Sequence, residues 1–153
     1  MESPTSTTSR IVIAAVAVAA LWAGLAYDVS RPADARRYQR TLVQAAESAH
    51  DAAQTAALVG ELELAGKVTG LFATAAFDDA AKGLAGAEQK SASQGPPDSA
   101  SAARRDELGP LLNAAVTALG DTTEADDDNR LRDGVGRLKD VAARLDDFAE
   151  GMR

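Results

Sequence analysis

Glu47 and His50 stand three residues apart in the segment ESAH, a spacing that puts a carboxylate and an imidazole on one helix face. Carboxylate-bridged metal sites in helical bundles use two such Glu-x-x-His sets on facing helices. Here there is one set, because His50 is the single histidine of the chain. It sits beside Asp51 on an alanine-rich segment with no neighbouring pattern for a nucleophilic triad, and reads as a surface residue. The acidic run of Asp121, Glu124, Asp126, Asp127 and Asp128 offers oxygen ligands of the kind hard cations take. Its spacing fails as a calcium loop, since Arg130 and Leu131 fall where a ligand and the glycine are needed. Asp121 and Glu124 instead have the spacing of a capping box, and acids in a first turn complement the helix dipole. The expectation is a protein with no catalytic residue, no metal ligand and no cofactor, hence not an enzyme.

Composition narrows the class further. Alanine occurs 35 times in 153 residues, aromatics are 4%, and isoleucine is absent after Ile13, a bias toward helix over strand. Without cysteine there is no disulfide, thiolate site or lipidated cysteine anchor. A net charge of -7 argues against nucleic acid as a partner, which would need a clustered Lys/Arg surface.

One element stands apart. IVIAAVAVAALWAGLAY, residues 11–27, carries no charge and follows a polar tail at 1–10 that has no expected structure. As a helix it reaches roughly 26 Å, the lower limit for crossing a hydrocarbon core of about 30 Å. Its apolar face would comprise Ile11, Val12, Ile13, Val16, Val18, Leu21 and Leu25, with Trp22 and Tyr27 toward the end where amphipathic rings meet headgroups. The flanks favour a single-pass membrane anchor in contact with the lipid bilayer. A cleaved secretory signal, with small residues near Gly24 and Ala26, and a buried core helix are the alternatives. Orientation is pulled two ways. Arg31, Arg36, Arg37 and Arg40 after the run favour a cytoplasmic bundle, whereas a short tail ahead of one apolar segment is the layout of an exported protein, the side taken here.

The rest, 28–153, reads as an all-α domain, a small antiparallel bundle of three or four alanine-rich helices. Tyr38, Leu42, Ala45, Ala49, Ala52, Ala56 and Val59 step by fours and threes along one stripe, with a break or bend expected near Gly60. Leu62, Ala65, Thr69, Phe72 and Ala76 continue in a shifted phase to about Lys90. Small residues at Gly66 and Gly70 predict a tight helix crossing. The Gly/Pro/Ser-rich linker at 91–99 excludes a continuous helix and offers Asp98 or Ser99 as the next N-cap. Leu108, Leu112, Ala115 and Leu119 form the third stripe, kinked or restarted at Gly109-Pro110 and capped by Gly120. The last helix, opening in DTTEADDD, has the clearest period, with packing positions Leu131, Val135, Leu138, Ala142, Leu145 and Phe148.

Large apolar residues are few after position 34, which predicts a marginal bundle helped by self-association or by a protein partner. Two functions fit: a membrane-tethered interaction or structural module, or an exported or anchored bundle binding a small ligand between its helices.

Overall fold

The computed structural model describes residues 34–153 and arranges them as four helices: α1 (Thr5–Leu64), described with its side chains from Asp34 on, α2 (Gly70–Ala92), α3 (Ser99–Thr123) and α4 (Asp128–Glu150). The anchor residues Ile11 to Tyr27 lie outside the described residues. Among the described residues no helix is long and apolar enough to cross a membrane.

Each turn between helices has a local chemical cause. Past Leu64 the chain closes a Schellman motif: Lys67 N–H donates to Leu62 O at 2.8 Å and Gly66 N–H to Glu63 O at 2.9 Å. Gly66 has φ +63°, the left-handed conformation that glycine adopts without a Cβ clash. Thr69, Asp98 and Asp127 then cap α2, α3 and α4 by accepting from Phe72, Ser101 and Arg130 backbone N–H groups. The segment 93–98 is therefore a turn within one bundle.

Antiparallel packing shows in the register of α1 against α4. As α1 advances through Gln39, His50 and Gly60, its partners step back from Met152, just past α4, to Ala142 and Val135 on it. α1 also packs along α2, α3 packs on α4, and α1 touches α3 across the diagonal, which leaves α2 and α4 apart. The core is lined by alanine on the α1 side, where Ala45, Ala46, Ala49, Ala53, Ala56 and Ala57 are buried. Leu84 and Phe77 of α2, Leu108 and Leu119 of α3, and Leu138, Leu145 and Phe148 of α4 fill the space opposite.

Several expectations need correction. α1 does not break at Gly60. That glycine is buried where α4 comes close, so its missing side chain serves packing. The buried face of α2 is Ala73, Phe77, Ala80, Leu84 and Ala87, whereas Phe72 of the expected stripe is exposed. α3 runs through Pro110, whose exposed position lets the missing N–H fall on the solvent side, and through Gly120 to Thr123. Glu124, not Gly120, is its C-cap, and its N–H donates to Gly120 O at 2.9 Å. The capping box of Asp121 and Glu124 does not form, because α4 starts later, behind Asp127.

Candidate functional site

Most of the residues singled out above make specific contacts within the bundle, some between helices and some within one. His50 is half-buried and its Nδ1–H donates to the Ala142 carbonyl of α4 at 2.8 Å, so it is more than a surface residue. The bond puts a proton on Nδ1, since a carbonyl only accepts, and the ring borders a cleft lined by Gln54, Glu61 and Asp146. Glu47 turns to Arg153 at 2.5 Å. Glu47 and His50 of ESAH thus hold separate points, His50 on α4 and Glu47 on the C-terminal residue that follows it. In the acidic run, Asp121 pairs with Arg137 at 2.8 Å, Asp126 pairs with Arg130 at 3.0 Å, and Asp127 accepts from Asn129 and Arg130 backbone N–H groups. These backbone bonds, that of Arg130 first, hold the Asp127 carboxyl below the usual aspartate range. No group of three or more potential ligands comes together among the described residues.

The predicted crossing at Gly66 and Gly70 is also corrected. Both are exposed, and nothing lies within 4 Å of where a Cβ would stand on either. Gly66 is a turn residue and Gly70 opens α2. The closest approaches are at Gly60, where a Cβ would overlap a Val135 methyl, and at Gly134, where it would stand 2.5 Å from Thr122 Oγ1 and 3.0 Å from Thr122 Cα; at Gly83 it would meet Ala52 Cβ at 3.1 Å. Thr122 is buried and donates to Ala118 O at 2.7 Å, which leaves its methyl side to the Gly60 seam. Sequence reasoning missed this trio, although glycine four residues before Leu138 on a strongly periodic helix was an available signal. Leu131, Val135, Leu138, Leu145 and Phe148 all lie on the buried face of α4.

Three surface features remain. At the end where α1 enters the bundle, an open groove of about 770 Å³ is lined by Arg36, Arg37, Arg40 and Arg153 with Val43 and Met152. Beside it lies a smaller cleft of about 310 Å³, bordered by Tyr38, Asp98, Ser101 and Arg104. The Tyr38 hydroxyl is buried without a hydrogen-bond partner among the described residues, and burial pushes its phenol above the ordinary tyrosine range. At the opposite end, where α2 starts, Leu71 is 84% exposed and Phe72 is 55% exposed. Compared with family models, with curated proteins and with solved structures, the chain gives no match in any of the three.

Proposed function

We propose that the protein is a single-pass, membrane-tethered helical bundle that serves as an interaction or structural module and carries out no catalysis. Residues 11–27 are its anchor in the lipid bilayer, and the bundle stands on the extracytoplasmic side. The observation that carries this reading is the neighbouring pair Leu71 and Phe72, open to solvent at the end of the bundle away from the anchor. Counted along α1 from residue 34 to 64, that end is about 45 Å from the entry of the helix. Solitary exposed apolar residues are ordinary, but a leucine and a phenylalanine side by side at one pole make a contact point for a protein partner or a second copy.

Crosslinking in native membranes tests the contact. The wild-type chain is expected to give an adduct that Leu71→Asp with Phe72→Asp abolishes while the helical circular dichroism is kept; no adduct from wild type overturns the reading. The anchor is tested by carbonate washing, with recovery of the full-length chain in the soluble fraction as the opposing result. Ala17→Asp with Ala20→Asp should release the protein, each charge costing about 2.5 to 3.5 kcal/mol at the centre of a span. Protease added to intact spheroplasts reports the side, and a protected bundle opposes the extracytoplasmic placement.

A second reading, an exported or anchored bundle that binds a small ligand, is favoured by the unpartnered Tyr38 hydroxyl beside its cleft. A ligand there supplies an acceptor, so binding would be lost in Tyr38→Phe.

A further inference from the structure

Charge is segregated along α1. Between residues 31 and 40 there are four arginines, Arg31, Arg36, Arg37 and Arg40, against one acid, Asp34. From 41 to 64 there is no lysine or arginine, and the charged residues are Glu47, Asp51, Glu61 and Glu63. In a chain of net charge -7 this basic zone is not a sample of the general surface. The fold then adds to it from the far end of the sequence, because α4 runs antiparallel and delivers Arg153 to the same groove. Four guanidinium groups line that groove with one carboxylate, Glu47, which Arg153 already holds. Arg37 and Arg40 make no ion pair among the described residues.

We infer that this arginine groove is a docking surface for the phosphate headgroups of an anionic bilayer, and that it seats the base of the bundle on the membrane. The inference rests on the tether reading, which sets the distance. Arg36 follows Tyr27 by nine residues and Arg40 by thirteen, so along a helix they stand about 14 and 20 Å beyond the hydrocarbon edge. A headgroup layer of roughly 6 Å, the reach of an arginine side chain and a Debye length of about 8 Å bring both within the field of the surface. Guanidinium is suited to the contact because its planar fork pairs with two phosphate oxygens at once. Val43 and Met152 give the groove an apolar floor for the side-chain stems. Near a lipid surface that carries anionic headgroups, each arginine gains about fivefold in surface affinity, and the groove needs such lipid in the leaflet that it faces.

The test uses the full-length chain in nanodiscs of phosphatidylcholine alone and of phosphatidylcholine with about one-third phosphatidylglycerol. Amide exchange in peptides covering residues 34–44 is expected to slow about fivefold or more in the anionic discs. It should return to the neutral-lipid rate at about 1 M salt, where the Debye length falls to roughly 3 Å. Arg37→Gln with Arg40→Gln should remove most of the difference, while its melting temperature in neutral detergent stays that of wild type. Equal exchange in both lipids, or protection that survives the double substitution, overturns the groove as a headgroup site. Failure of the tether looks different: a chain that does not float with neutral phosphatidylcholine vesicles has no anchor, whatever its arginines do.

Discussion

A methyl group of Val135 occupies the place that a Cβ on Gly60 would need, with Leu131 Cδ1 at 3.7 Å and Thr122 Cγ2 at 3.9 Å behind it. Valine is stiff at χ1, so the methyl cannot swing aside cheaply. Gly60→Ala should therefore lower stability by about 1–3 kcal/mol, although alanine is the better helix former by roughly 1 kcal/mol. Gly136→Ala, on the open side of α4 with nothing within 4 Å, should show that propensity gain unopposed. Thermal melts of the two variants, with Gly60→Ala/Val135→Ala as the rescue, check the relationship; a melting temperature raised by Gly60→Ala would refute it.

The second seam is less forgiving. A Cβ on Gly134 would press on the backbone of Thr122 as well as its hydroxyl, and a backbone shift moves all of the last turn of α3. Gly134→Ala is expected to cost at least as much as Gly60→Ala, and Thr122→Ala should not rescue it fully. Complete rescue by that change would show that only the side chain was in the way.

Burial separates leucines of one type. Leu138→Ala empties a fully buried position and should cost about 2–5 kcal/mol. Leu71→Ala should change stability by no more than about 0.5 kcal/mol, because its side chain already stands in water. Denaturant midpoints measured on the two variants decide this, and a large loss at Leu71 would mean that it is covered in solution by another copy.

Acid should loosen the start of α4. The folded-state pKa of Asp127 lies below its unfolded value because the Arg130 and Asn129 backbone N–H groups bond its charged form. Its contribution is complete above the unfolded aspartate value of about 3.9 and is lost as pH falls through the depressed native one. Asp127→Asn keeps a good N-cap that does not titrate, so melts below about pH 4 should fall less steeply for the variant than for wild type.

The hydroxyl of Tyr38 gains nothing visible from its burial. Replacing an unpartnered buried polar group by an apolar one of the same shape is neutral or stabilising, so Tyr38→Phe should hold or raise the melting temperature. A clear drop would show that the hydroxyl is bonded in solution.

The sequence revealed helices where large and polar residues contrast. On α4, Leu131, Val135, Leu138, Leu145 and Phe148 alternate with charged residues, and all of them are buried. On α1 and α2 alanine lies on every side, so the stripe could be drawn in several phases; Ala53 and Ala57 are core although the period was read through Ala52. Glycine was ambiguous for a related reason. Gly60 and Gly66 look alike in a sequence, yet one admits a neighbouring helix and the other takes a left-handed turn, and only the packing partner tells them apart. In DTTEADDD any of several residues could cap, and Thr122 proved to be core, so the boundary between α3 and α4 moved. The arginine groove was half visible: Arg36, Arg37 and Arg40 are close in sequence, but Arg153 joins them only through the antiparallel return of α4.

The alanine wall of α1 also limits how this molecule can change shape. An alanine has no side-chain rotamer to exchange, so a core face built from Ala45, Ala46, Ala49, Ala53, Ala56 and Ala57 cannot absorb a displacement by re-sorting its side chains. Any shift of α1 would have to be a movement of the whole helix, and the Val135 methyl seated at Gly60 would catch it within one residue of travel. Sliding of α1 along α4 is thus resisted at the Gly60 seam instead of being absorbed by side-chain rearrangement along the alanine stretch.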